Sequence, residues 1–156
     1  MLSCNLTMEY RAYRVYMNYV KSPADLLLGA FSTKADRKDA LAECLTFDPL
    51  FGAKVRMLYE TTLANRISPK EFVNILYHED GLSILELKKK SIRLTFFKDT
   101  EVNIAEIRAR QAIVFLSYFK KEKWKTPIGE IDRARKLRDI YLTSKREDNL
   151  TLEVIE

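Results

Sequence analysis

Ala112-Ile113-Val114-Phe115-Leu116 is apolar at every position. A strand turns successive side chains to opposite faces, so a run without alternation fits a central strand buried on both sides. At five residues it is far too short to cross a bilayer. The strand around it extends over Arg108 to Phe119, and the rest of the chain has to provide its cover.

Alternating patterns mark the neighbouring strands. Leu85 and Leu87 oppose Glu86 and Lys88, which predicts a strand over Leu82 to Lys89. Ile92, Leu94 and Phe96 oppose Arg93, Thr95 and Phe97, which predicts another over Ser91 to Lys98. Lys90-Ser91 leaves room for a tight hairpin between them, although neither residue is a preferred turn former. His78-Glu79-Asp80-Gly81 is a turn signal before the pair. Near the N-terminus, Tyr13, Val15, Met17 and Tyr19 alternate with Arg14, Tyr16 and Asn18, so Glu9 to Val20 is expected to be a strand.

Helix signals fill the intervals. Ser22-Pro23-Ala24-Asp25 carries a cap, a first-turn proline and a first-turn acid, and predicts a helix to about Phe31. Ser32 or Thr33 is expected to cap a second helical piece through Leu45. Pro49 to about Asn65 places Leu50, Val55, Leu58, Tyr59 and Leu63 at helical spacing. Ser68-Pro69-Lys70-Glu71 opens a short helix or an extended piece ending near Tyr77. Asp99 to Ile107 reads as a polar excursion. Thr126-Pro127 starts a last helix with Ile128, Ile131, Ala134, Leu137 and Tyr141 on one face.

The expected fold class is α+β: a small antiparallel sheet with helices packed on one face and the other face at least partly open. Residues 1–144 are expected to form a single domain with an extended N-terminal helical region, and 145–156 a C-terminal tail. Met1 to Glu9 has no basic segment followed by an apolar one, so a cytoplasmic protein without a secretory signal is expected. Cys4 and Cys44 lack metal-ligand spacing and are expected to be free thiols.

Charge is distributed unevenly. Gly81 to Arg138 holds 15 basic and 7 acidic residues, a balance of +8, whereas the remainder has a balance of −3. A one-sided basic field suits a polyanionic partner; a solvated basic face with no partner is the bland alternative.

The stretch Ile113 to Ala134 narrows the choice. It runs from an apolar strand into Phe119-Lys120-Lys121, then Lys125-Thr126-Pro127, then Glu130-Ile131 with Ala134 three residues on. This order resembles HigB-type toxins of the RelE/ParE superfamily of bacterial and phage toxin–antitoxin modules. Upstream, Gly81 to Lys88 looks like the family's glycine–aromatic–Glu-Leu-Arg strand. Ile92-Arg93-Leu94-Thr95-Phe96-Phe97 looks like its Tyr-Arg strand. The likeness covers Gly81 to about Tyr141. Lys88 stands where Arg is usual, Asp99 to Ile107 is longer than a common hairpin loop, and the N-terminal part exceeds the family's strand and helical hairpin.

The resemblance implies ribosome-dependent cleavage of mRNA, without metal or other cofactor, and silencing by a cognate helix-turn-helix antitoxin. Such cleavage needs a base for the ribose 2′-OH, an acid for the leaving oxygen, and positive charge for the crowded phosphorus. His78 is the sole histidine and reads as a surface turn residue; a metal site through His78-Glu79-Asp80 is the weaker reading, because adjacent residues seldom converge on one ion without partners elsewhere. The basic constellation remains. Lys88, Arg93, Tyr118 and Lys120 are the catalytic candidates, and Lys90, Arg110, Lys121, Lys123 and Lys125 the RNA-binding ones.

Each has a bland reading. Lys88 to Lys90 also suits an edge-strand charge run, Arg93 a cross-strand partner for Glu86, and Lys120 to Lys125 a solvated strand end. Trp124 suits packing on the last helix or stacking on a base. Two other function classes stay open: a non-nuclease inhibitor such as a gyrase poison, and a plain basic RNA-binding protein of phage or plasmid origin.

Overall fold

A computed structural model describes residues 10–122 and 127–156. Its strands are β1 (Ala12–Tyr16), β2 (Leu26–Ser32), β3 (Val73–Glu79), β4 (Leu82–Lys89), β5 (Ile92–Asp99), β6 (Val102–Ile104), β7 (Ile107–Ala109), β8 (Gln111–Lys120) and β9 (Thr151–Ile155). Its helices are α1 (Ala40–Phe47), α2 (Gly52–Leu63) and α3 (Ile128–Arg146). The seven-stranded sheet has the order β3-β4-β5-β8-β2-β1-β9, and β6 and β7 form a separate hairpin. Most neighbours are antiparallel, but β8 runs parallel to β2 and β1 parallel to β9. The α+β class holds. The sheet is larger than expected and mixed.

β8 lies in the middle, and Ala112 to Leu116 are all buried. Ile113 and Phe115 point into a core under α1 and α2, with Leu28, Val55, Tyr59, Leu87 and Leu94. Ala112, Val114 and Leu116 point into a second core with Tyr13, Phe31, Phe97 and Tyr141. There α3 and the β6–β7 hairpin supply the cover. Helices therefore occupy both faces, contrary to the one-sided expectation, because a strand apolar on both sides leaves neither face free to stay wet. The Tyr141 ring on α3 meets Tyr13, Phe31 and Phe97 edge-on, with centroids 5.6–5.9 Å apart. Its hydroxyl donates to Asp99 at 2.9 Å.

Several local expectations change. The Ser22 signal closes a turn instead of a helix: Leu26 N–H donates to Ser22 O at 2.9 Å, and Ser22 Oγ to Asp25 at 2.7 Å. The run that follows, Leu26–Ser32, is a strand buried at every position. Gly29 is needed there, because a Cβ would lie 2.0 Å from Arg14 O on β1. The second helical piece starts only at Ala40, where Asp39 accepts from Ala42 N–H at 2.8 Å. Of the two readings after Ser68, the extended one holds as β3, which reaches past His78 to Glu79; the turn itself is Asp80-Gly81. The polar excursion contains β6 and β7, which bury Val102 and Ile104. The expected tail holds the end of α3 and then β9. Thr126, the expected cap of the last helix, lies outside the described residues.

β9 is fixed by charge as well as by backbone pairing. Arg14 is 1% exposed and its Nε donates to Glu153 Oε1 at 3.1 Å. The same guanidinium lies 3.6 Å from Asp39. One buried cation thus links β1, the C-terminal strand and the start of α1. Among the described residues no helix is long and apolar enough to cross a membrane.

Cys44 is buried and free, and burial pushes its thiol up to about 12. With Cys4→Ser removing the other thiol, a thiol reagent at pH 8 should label the chain only once urea unfolds it. Rapid labelling of the native protein would contradict the packing of α1 on the sheet.

Candidate nucleic-acid interface

The β4–β5 hairpin gathers the basic residues. Lys88 and Arg93 are direct cross-strand partners, so their side chains share a face as the alternation predicts. Between them the chain turns through Lys90, whose φ is +56°. A lysine is strained there by about 1 kcal/mol, and Gly, or Asn with its short polar side chain, would fit better. The strained position carries a lysine at the tip of the hairpin.

A cavity of about 350 Å³ lies beside this turn, lined by Lys54, Glu71, Phe72, Lys88, Lys89, Lys90 and Arg93. Five cations face one carboxylate there. Lys54 comes from α2, and its Nζ sits 3.3 Å from the centre of the Phe72 ring. Lys89 points to the opposite face from Lys88 and binds Asp48 at 2.6 Å, which ties the α1–α2 turn to the end of β4. That bond holds the Asp48 carboxyl below its ordinary range. With its amide oxygen turned toward Lys88, Asn74 on β3 accepts from Nζ at 2.8 Å.

Arg93 is less available than Lys88. Its Nε lies 3.6 Å from Glu86 Oε1, and the Glu86 side chain is 2% exposed. Its Nη1 donates to the carbonyls of Lys90 at 2.5 Å and Ile92 at 3.0 Å. The cross-strand pairing with Glu86 is therefore present. It still leaves Arg93 on the wall of the cavity.

β8 delivers further cations to the same end of the sheet, because it ends where β5 begins. Lys120 pairs with Ile92, and Lys121 N–H donates to Ser91 O at 2.7 Å. Lys120 Nζ lies 3.6 Å from the centre of the Phe47 ring, which is 53% exposed at the end of α1.

The other candidates are not all brought together. Tyr118 pairs with Leu94 and packs against the α1–α2 core. By alternation it and Lys120 lie on the opposite face from Lys88 and Arg93, so the four catalytic candidates are split by the sheet. Burial raises the Tyr118 hydroxyl above its ordinary range, so it stays a neutral donor near pH 7. Arg110 stands at the far end of β8, 86% exposed, with its Nε 4.0 Å from Asp25. A ten-residue strand, about 30 Å, separates it from the hairpin tip. Lys123 and Lys125, with Trp124, lie outside the described residues. His78 is exposed on β3 and pairs through Nδ1 with Ser83 Oγ at 2.7 Å. Among the described residues no cluster of His, Cys, Asp and Glu is suited to a metal.

Lys54, Lys89 and Phe47 join the site although the sequence offers no local sign of it. Helix packing brings Lys54 across, and the far face of β4 brings Lys89. No family model matches the chain, and no curated protein matches it at a significant level.

Removing Arg93 strips the buried Glu86 carboxylate of its cation. Arg93→Ala should cost about 3 kcal/mol of stability in urea denaturation, and Glu86→Gln in the same chain should restore much of it. Lys21→Ala breaks an exposed pair with Glu60 and should cost at most about 1 kcal/mol. Equal small effects for both single variants would show that the Arg93–Glu86 contact does not stabilise the hairpin.

Proposed function

We propose that the chain is the toxin of a toxin–antitoxin pair, a metal-independent endoribonuclease of the RelE/ParE type acting on mRNA at the ribosome. The observation that carries this reading is the cross-strand pairing of Lys88 and Arg93 on the wall of a cavity lined by five cations. They are two of the four catalytic candidates, with Tyr118 and Lys120, that the resemblance puts forward. The arrangement of the blocks also supports it. The two resembling strands are hairpin partners, and the resembling strand–helix segment pairs directly with the second of them. A strand followed by two helices, β2–α1–α2, sits on the other side of β8. Among the described residues, β1 and β3 are the strands before β4 that lie outside that unit.

In this reaction the ribose 2′-OH loses its proton to a base and attacks the adjacent phosphorus. The bond to the 5′-oxygen breaks, that oxygen takes a proton from an acid, and the products are a 2′,3′-cyclic phosphate and a 5′-hydroxyl. Lys88 suits proton transfer because its side chain lies on the cavity wall beside Arg93, within reach of a phosphate bound there. Arg93 suits binding of the phosphate oxygens, whose charge grows as the reaction proceeds. His78 pairs with Ser83, five residues along β4 from Lys88, roughly 17 Å away, and takes no part.

One observation favours a non-nuclease reading on the same fold, such as a gyrase poison or a blocking RNA binder. The Arg93 guanidinium is engaged by Glu86 and two carbonyls, and Tyr118 lies across the sheet from Lys88. A toxin must be silenced in its host cytoplasm, so a helix-turn-helix antitoxin with acidic residues toward the hairpin is part of the proposal. Their association should weaken with added salt.

Induction under tight control with mapping of mRNA ends separates the readings. Discrete cuts in translated messages are expected from the wild type. Lys88→Ala should lower the cutting rate by about 10²–10³, and Lys88→Arg, the residue usual in the family, should retain it. An SOS response without cuts would point to gyrase and overturn the nuclease reading.

A further inference from the structure

A second cavity, about 600 Å³, opens where β2 and β8 part company. Their parallel pairing ends at Ala30–Phe115, while β8 continues to Lys120. The start of α1 and the middle of α3 close the gap from either side. Phe31, Leu116, Leu137 and Ile140 give it an apolar floor, and Tyr118 lies in its wall.

Its rim is cationic. Lys34 is paired with Glu43 at 3.3 Å, and Arg133 lies 4.0 Å from Glu130. Asp39 is committed to Ala42 N–H, the Tyr16 hydroxyl and Arg14. Lys38 and Lys136, also on the rim, make no ion pair among the described residues. An apolar floor under unpaired ammonium groups matches a base and its phosphate, and the volume is ample for one nucleotide.

The cavity also runs toward the end of the sheet that carries the hairpin tip, along the face opposite Lys88 and Arg93. α1 runs from Ala40 and Glu43 on its wall to Phe47, which meets Lys120. On the facing strand Tyr118 and Lys120 follow the same course. The exposed Phe47 ring under a lysine is a stacking surface on the way.

We propose that this cavity is a nucleotide subsite, seating one unpaired base of an RNA strand that rounds the end of the sheet to place a phosphate at Lys88 and Arg93. The inference rests on the RNA reading above. It adds a requirement for single-stranded substrate, because a base can enter the cavity only when unstacked and unpaired.

The test uses a fluorescent hexaribonucleotide and a set of the same oligomers with one base removed in turn. Lys38→Glu with Lys136→Glu should weaken binding at least tenfold. Removing the base that enters the cavity should cost the wild type about tenfold, the worth of one stacked base. The same removal should cost Leu137→Trp, which fills the floor, almost nothing. Circular dichroism and melting establish that the variants fold, and Lys38→Ala with Lys136→Ala serves if Leu137→Trp does not. Cavity variants that bind like wild type while Lys88→Ala weakens binding would overturn the subsite and leave the RNA reading standing. A folded wild type that binds no oligomer would overturn both.

Discussion

The burial of β8 on both faces is the constraint on which the rest of the molecule depends. Ala112 to Leu116 are at most 3% exposed. Each large side chain among them gains about 1.5–3 kcal/mol by leaving water. That gain requires apolar cover on two sides, which α1 and α2 supply on one and α3 with β6–β7 on the other. Once β8 is central, β2 and β5 must flank it, and the remaining strands extend outward to the edges. The buried Arg14 then fastens one edge, joining β9 to the start of α1 through Glu153 and Asp39.

The distribution of charge follows from the same constraint. A sheet covered on both faces has little room for unpaired cations, whose burial costs several kcal/mol each. The basic residues of β4, β5 and β8 sit at or next to the strand ends. Because β5 runs antiparallel to β8, the hairpin tip with Lys88 to Arg93 and the exit of β8 with Lys120 and Lys121 fall at one end. The cations that the covered sheet excludes collect where a polyanion can reach them. Arg110 belongs to the same basic stretch of sequence but to the opposite end of the strand.

Where the physics is local, the sequence and the structure agree. β4 and β5 carry period-two alternation across a short turn, and their limits fall within a residue of those expected. α2 has helical spacing behind a proline. Elsewhere a short-range signal competes with a long-range one. Ser22 to Asp25 has the chemistry of a helix cap, yet the next seven residues gain more as a strand buried on both faces, because β1 and β8 stand ready to pair with it. β9 depends on Arg14, 139 residues away, and nothing near it in sequence signals that partner. The run in β8 already demands two-sided cover, a consequence that a one-sided layout of helices does not meet. In the site, Lys88 and Arg93 follow from strand alternation. Lys54 and Phe47 do not, since only packing of α2 and α1 on the sheet brings them to the strands.

The central claim is that one end of the sheet grips RNA through its phosphates. The most direct measurement is the salt dependence of affinity for a single-stranded oligoribonucleotide. If three or four cations at that end neutralise phosphates, log affinity should fall with log salt at a slope of about −2 to −3. Lys88→Ala and Lys90→Ala should each flatten the slope by about 0.7, and Arg110→Ala should leave it unchanged. A slope near zero, or an Arg110→Ala variant that flattens it as much as the other two, would contradict the account.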